Sequence, residues 1–131
     1  MDATADMVAY AGYGAIGAVY GMLKVSVADL LATFDDSIAT GTAFDPRPYR
    51  VAAEGMTVGL TSLPSTPAWD DARTQLLTLI ERYRELVDIL PPEDMETFRA
   101  VSAELDEARL ISDLAIGRLG RRLGLASDDG Q

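Results

Sequence analysis

Few residues in this chain could do chemistry, and the carboxylates come first. Glu104 and Glu107 stand three apart beside Asp106. On a helix they would face one way, as needed to hold a hard cation or to act as acid and base. The same spacing also fits a solvated face with Asp106 paired to Arg109, and that is the reading adopted. Asp35 and Asp36 precede Gly41. Placing Asp36 first in a calcium loop puts Ile38 where an oxygen ligand is required, so the match fails. Asp113 lies in an apolar stretch with Arg109 four residues away as its available partner. Buried in a cavity it would be the best functional candidate in the chain; otherwise it is a structural ion pair.

Other motifs are weaker. Gly12, Gly14 and Gly17 match the spacing G-x-G-x-x-G, but no strand precedes them and no βαβ unit follows. Arg47, Tyr49 and Arg50 form a small basic and aromatic group that reads as ordinary surface. Trp69 is the only tryptophan, and it either anchors a partner or plugs the end of a bundle.

Absences narrow the chemistry further. The 131 residues include no Cys and no His. The commonest zinc ligands are therefore missing, and so is the base of Ser-His-Asp and Cys-His catalysis. We expect no catalytic residue, no metal site and no cofactor. The net charge of −10 is spread along the chain and disfavours direct contact with nucleic acid. An acidic inhibitor or nucleic-acid-mimicking decoy is one alternative function, although it needs carboxylates gathered on one face. Asp2 and Asp6 occupy the place where a secretory signal carries positive charge, so the expected location is the cytoplasm.

The elements that would position these residues are all helical. The length suggests one domain over 1–131, and the period of the apolar residues suggests an all-α small helical bundle. A long N-terminal helix is expected over about 4–40, capped at Asp2 or Thr4 and closed by Gly41. A short middle helix is expected over 46–60, with Asp45 as N-cap and Pro46 at N1. Two further helices, about 67–90 and 92–123, form an antiparallel hairpin broken at Pro91-Pro92. Thr66 is the expected cap of the first of these. The tail 126–131 reads as frayed.

Two stretches carry more apolar or small surface than one bundle requires. Met7 to Leu23 is uncharged and contains four glycines. Gly14, Gly17 and Gly21 line one side, extended by Met7 and Tyr10, and a groove of glycines lets another backbone approach closely. A kink near Gly12 to Gly17 would also fit. Beyond Glu107, Leu110, Ile111, Leu114, Ala115, Ile116 and Leu119 cover most of the helix circumference, which requires burial on more than one side. Gly117, Gly120 and Gly124 could permit close approach there. The expected function is non-enzymatic: a structural or assembly protein that contacts itself or another helical protein through Tyr10, Gly14, Gly17, Gly21, Leu110, Leu114, Gly117 and Trp69. The alternative is membrane association through residues 7–23, a stretch at the lower length limit for a span.

Overall fold

The computed structural model describes residues 3–64, 67 and 69–124, without the side chains of 3–6, 8 and 9. Four α-helices follow one another: α1 (Ala3–Thr40), α2 (Arg47–Thr61), α3 (Asp70–Ile89) and α4 (Met95–Arg122). No strand occurs among the described residues. The expected caps at Asp2 and Thr66, the side chain of Thr4 and the tail 126–131 lie outside what is described.

Each helix runs opposite to the one before it. Arg50 of α2 meets Asp88 of α3 at 3.0 Å, while Arg73 near the other end of α3 reaches Leu63 O at 2.7 Å. Arg118 of α4 meets Asp71 of α3, and Arg82 meets Glu104. Helices α1 and α3 touch each other and both remaining helices, whereas α2 and α4 do not meet. The cross-section is thus a rhombus with α1 and α3 on its short diagonal. Into that diagonal go Ile16, Leu23 and Leu30 from α1 and Leu76, Leu79, Ile80, Tyr83, Leu86 and Val87 from α3. The α3 stripe is the one its four-three repeat predicts. Tyr49, Ala53, Met56 and Leu60 of α2 and Leu105, Ala108, Ala115 and Leu119 of α4 close the core on either side.

The ends show how the chain stops and restarts. Gly41 takes φ +70° after Thr40. Gly41 N–H then reaches Ile38 O, and Thr42 N–H reaches Ser37 O at 3.0 Å. This pair of bonds satisfies the last carbonyls of α1 in the Schellman manner. Helix α4 starts at Met95 rather than Pro92. Asp94 is its N-cap: the carboxylate accepts the Thr97 N–H at 2.7 Å and is held below the usual carboxylate range by that bond. A capping carboxylate satisfies an orphan backbone donor, which a proline at N1 cannot do. Asp94→Ala is therefore expected to lower the urea midpoint, and Glu93→Ala to leave it unmoved.

Two other starts also shift. Helix α3 begins at Asp70, not Pro67, and Trp69 before it is turned into the core. Its Nε1–H donates to Pro64 O at 3.1 Å, and Trp69, at the N-cap position, makes no side-chain cap bond itself. In α2 the N-cap is Pro46 rather than Asp45. Asp45 still accepts the Arg47 N–H at 3.0 Å and is clasped by the Arg47 guanidinium through both oxygens. The α1 helix passes through Gly12, Gly14, Gly17 and Gly21 as one uninterrupted element of 38 residues, about 57 Å long.

Candidate interaction surface

Close approach between helices occurs at Gly12, which the sequence offers only as part of a kink or of the G-x-G-x-x-G spacing, and at Gly120, one of the three glycines expected to permit it near the end of the last helix. A Cβ on Gly12 would lie 2.3–2.6 Å from ring carbons of Trp69. The glycine is what admits the indole, and Trp69 is 1% exposed. Trp69 is accordingly a plug between α1 and the start of α3, not part of an outer face. Gly120 plays the same part in α4, where an added Cβ would lie 3.0–3.3 Å from the ring and hydroxyl of Tyr13. Tyr10 donates its hydroxyl to Leu123 O at 2.8 Å. These contacts pin the first third of α1 to the last turns of α4.

The other glycines in the expected set do not meet a neighbouring helix. Around Gly14, Gly17 and Gly21 a Cβ would find nothing within 4 Å, and at Gly117 only the Arg121 guanidinium at 3.5 Å. Leu110 and Leu114 do not become buried either: they are 54% and 60% exposed. The all-round burial expected of α4 beyond Glu107 is therefore corrected. Ser112, Ala115 and Leu119 turn inward, and α1 lies against the flank of Asp113 and Gly120, leaving Leu110 and Leu114 outside.

What the structure brings together is a different row. Ala11, Gly14, Ala18, Gly21, Val25, Ala28 and Ala32 follow one another at alternating steps of three and four, and only Gly21 is even half-covered. That is a heptad seam of small residues on the side of α1 facing away from the bundle. Met7 at 72%, Met22 at 58% and Val25 at 70% exposure add apolar bulk along it. Tyr10, Gly14 and Gly21 of the expected set lie on or beside this face; Gly17 is off the seam. The spacing was available in the sequence, but only the structure shows which side of α1 is already occupied.

The polar candidates resolve into ordinary pairing. Asp113 is not buried: it accepts the Tyr20 hydroxyl at 2.5 Å and lies 3.7 Å from Arg109. Burial and the Asp113 carboxylate push the Tyr20 hydroxyl up to about 12, against a smaller opposing effect of Arg109. Glu104 faces Arg82 at 3.5 Å, and Asp106 lies 3.7 Å from Arg109. Arg47 and Arg50 are drawn apart to Asp45 and Asp88, and Tyr49 donates to Asp29 at 2.9 Å. Gly12 to Gly17 is helical and forms no phosphate loop. Among the described residues no group of three or more carboxylates is placed to share a metal ion. Arginines interleave with carboxylates on α2, α3 and α4, which lends the decoy reading little support.

One buried polar atom stands out. The Tyr83 hydroxyl is shut inside with no hydrogen-bond partner among the described residues. Ser26, Asp29 and Tyr49 are its polar surroundings. Comparison with known proteins returns nothing significant: no family model, no curated protein and no solved structure matches the chain.

Proposed function

We propose that this chain is a non-enzymatic assembly protein that associates with a second copy of itself through the outward seam of α1. The observation that carries the reading is the seam itself. It spans Ala11 to Ala32, about 32 Å of helix, with no charge at any of its seven positions, six of which are exposed and one, Gly21, half-covered. Small residues at heptad positions let two helix axes approach closely, so that backbone and side-chain dispersion contacts accumulate along the whole seam.

The test is sedimentation velocity and light scattering over a range of protein concentrations. A concentration-dependent dimer is expected for the unmodified chain. Ala18→Glu places a charge at the middle of the seam, where it has room in the monomer, and is expected to give a folded monomer. A strictly monomeric unmodified chain at high concentration would overturn the reading.

A membrane reading has one specific observation in its favour. The stretch Tyr10–Thr40 is long and apolar enough to cross a bilayer, and 22% of its most apolar window is buried. Insertion would, however, strip Ile16, Leu23 and Leu30 from the core they share with α3. It would also carry Lys24, Asp29, Asp35 and Asp36 into or next to hydrocarbon. Flotation with phosphatidylcholine vesicles separates the two readings. Recovery in the dense fraction is the result expected here.

A further inference from the structure

Next to the Tyr20–Asp113 bond, α1 and α4 separate and leave a groove of about 280 Å³. Its floor is apolar: Leu23, Val27, Leu79 and Leu105, of which Leu23, Leu79 and Leu105 are buried and held in the core. Its rim carries Lys24 from α1 and Arg109 from α4, with Asp106 beside them.

Neither cation makes a hydrogen bond to a carboxylate among the described residues. Lys24 is the chain's only lysine. Its ammonium lies over the Tyr20 ring, 4.7 Å from the centroid, and has no carboxylate within ion-pair distance among the described residues. Arg109 stands 3.7 Å from both Asp106 and Asp113, beyond hydrogen-bond length. Asp113 is occupied by the Tyr20 hydroxyl. The Asp106 side chain is 75% exposed and has room to turn to water. In a chain of net charge −10, two loosely held cations thus converge over an apolar cleft.

We propose that this groove binds a free medium-chain carboxylate. The guanidinium fork of Arg109 matches a carboxylate through two hydrogen bonds, Lys24 adds a point charge, and the alkyl tail covers Leu23, Val27, Leu79 and Leu105. The volume stands at the small end of ligand pockets, which run from roughly 300 to 1,000 Å³. That suits a single chain of moderate length and not a two-tailed lipid.

Isothermal titration of the full chain with decanoate, acetate and decyltrimethylammonium tests this. Decanoate is expected to bind saturably at one site, and acetate and the cationic amphiphile not to bind. Lys24→Gln and Arg109→Gln are each expected to weaken decanoate by about tenfold. Both side chains are exposed, and circular dichroism will show that the variants fold. Absence of saturable decanoate binding would overturn the proposal. So would equal binding of decyltrimethylammonium, or unchanged affinity in both variants. The competing occupant is an apolar side chain from a second copy. Decanoate affinity that falls as protein concentration rises would assign the groove to that copy and would also overturn the proposal.

Discussion

Gly12→Ala is expected to destabilise the protein by about 3 kcal/mol, the upper part of the range for overpacking a core. The added methyl would meet the Trp69 ring at 2.3–2.6 Å. The indole cannot retreat, because its N–H is bonded to Pro64 O and its faces are enclosed. Gly17→Ala is expected to have the opposite sign. That position is helical, open and off the α1 seam, so the better helix propensity of alanine should add about 0.5–1 kcal/mol. Trp69→Ala removes the plug and should cost about 3–5 kcal/mol. In that background the Gly12→Ala penalty should largely vanish, since the two changes act on one contact and are not additive. Urea denaturation of the four variants closes this cycle. A Gly12→Ala penalty that persists without the indole would show that the clash is not its source.

These two glycines also show what could be read in advance. Both lie in one uncharged stretch, and both weaken a helix equally by propensity. Only the path of the chain before α3 decides that one faces an indole and the other faces water. The helices themselves were legible because each carries a continuous apolar stripe: the row Leu76, Ile80, Tyr83, Val87, Leu90 is buried to the last member. Their starts were less so. Pro67 and Pro92 are acceptable first helical residues by local rules, yet both starts fall three residues onward, after the buried Trp69 and the Asp94 cap. The surface was least legible, because exposure is a property of the packed bundle. Leu110, Leu114, Leu105 and Leu119 are the same residue type on one helix, and two of them face solvent. The Gly14, Gly17, Gly21 row and the Ala11-to-Ala32 row are both regular, and which row is uncovered depends on the directions from which α2, α3 and α4 approach.

Raising the pH is expected to unfold the protein over a narrow alkaline range, for a reason located in three tyrosines. Burial is the main cause that pushes up Tyr83, Tyr20 and Tyr49. The Asp113 carboxylate adds to it at Tyr20, and the Tyr49 and Asp29 charges add to it at Tyr83. Each hydroxyl keeps its proton in the folded state to a higher pH than in the unfolded chain, where it leaves near 10. The unfolded state therefore binds fewer protons above that pH, and stability must fall as pH rises. Below pH 10 the tyrosines contribute no slope. From 10 to about 12, where Tyr20 titrates in the folded state, Tyr20 and Tyr83 each cost about 1.4 kcal/mol per pH unit while they stay protonated, and Tyr49 acts in the same direction. Tyr20 and Tyr83 together can remove about 5–6 kcal/mol within two units, enough to exhaust the lower end of an ordinary domain stability of about 5–15 kcal/mol. Tyr83→Phe separates this effect from general alkaline damage. The Tyr83 hydroxyl makes no hydrogen bond of full geometry among the described residues and has Ser26 only as a weak neighbour, so its removal forfeits little and should leave neutral-pH stability within about 1 kcal/mol of the unmodified chain. The same change removes one titrating group, and the slope of stability against pH above 10 should drop by about a third to a half. Tyr20→Phe should flatten that slope as well, but it surrenders the bond to Asp113 and so should lose stability at pH 7. Urea midpoints measured from pH 7 to pH 12 for the three proteins give both quantities at once. An unchanged slope in both variants would place the alkaline transition elsewhere.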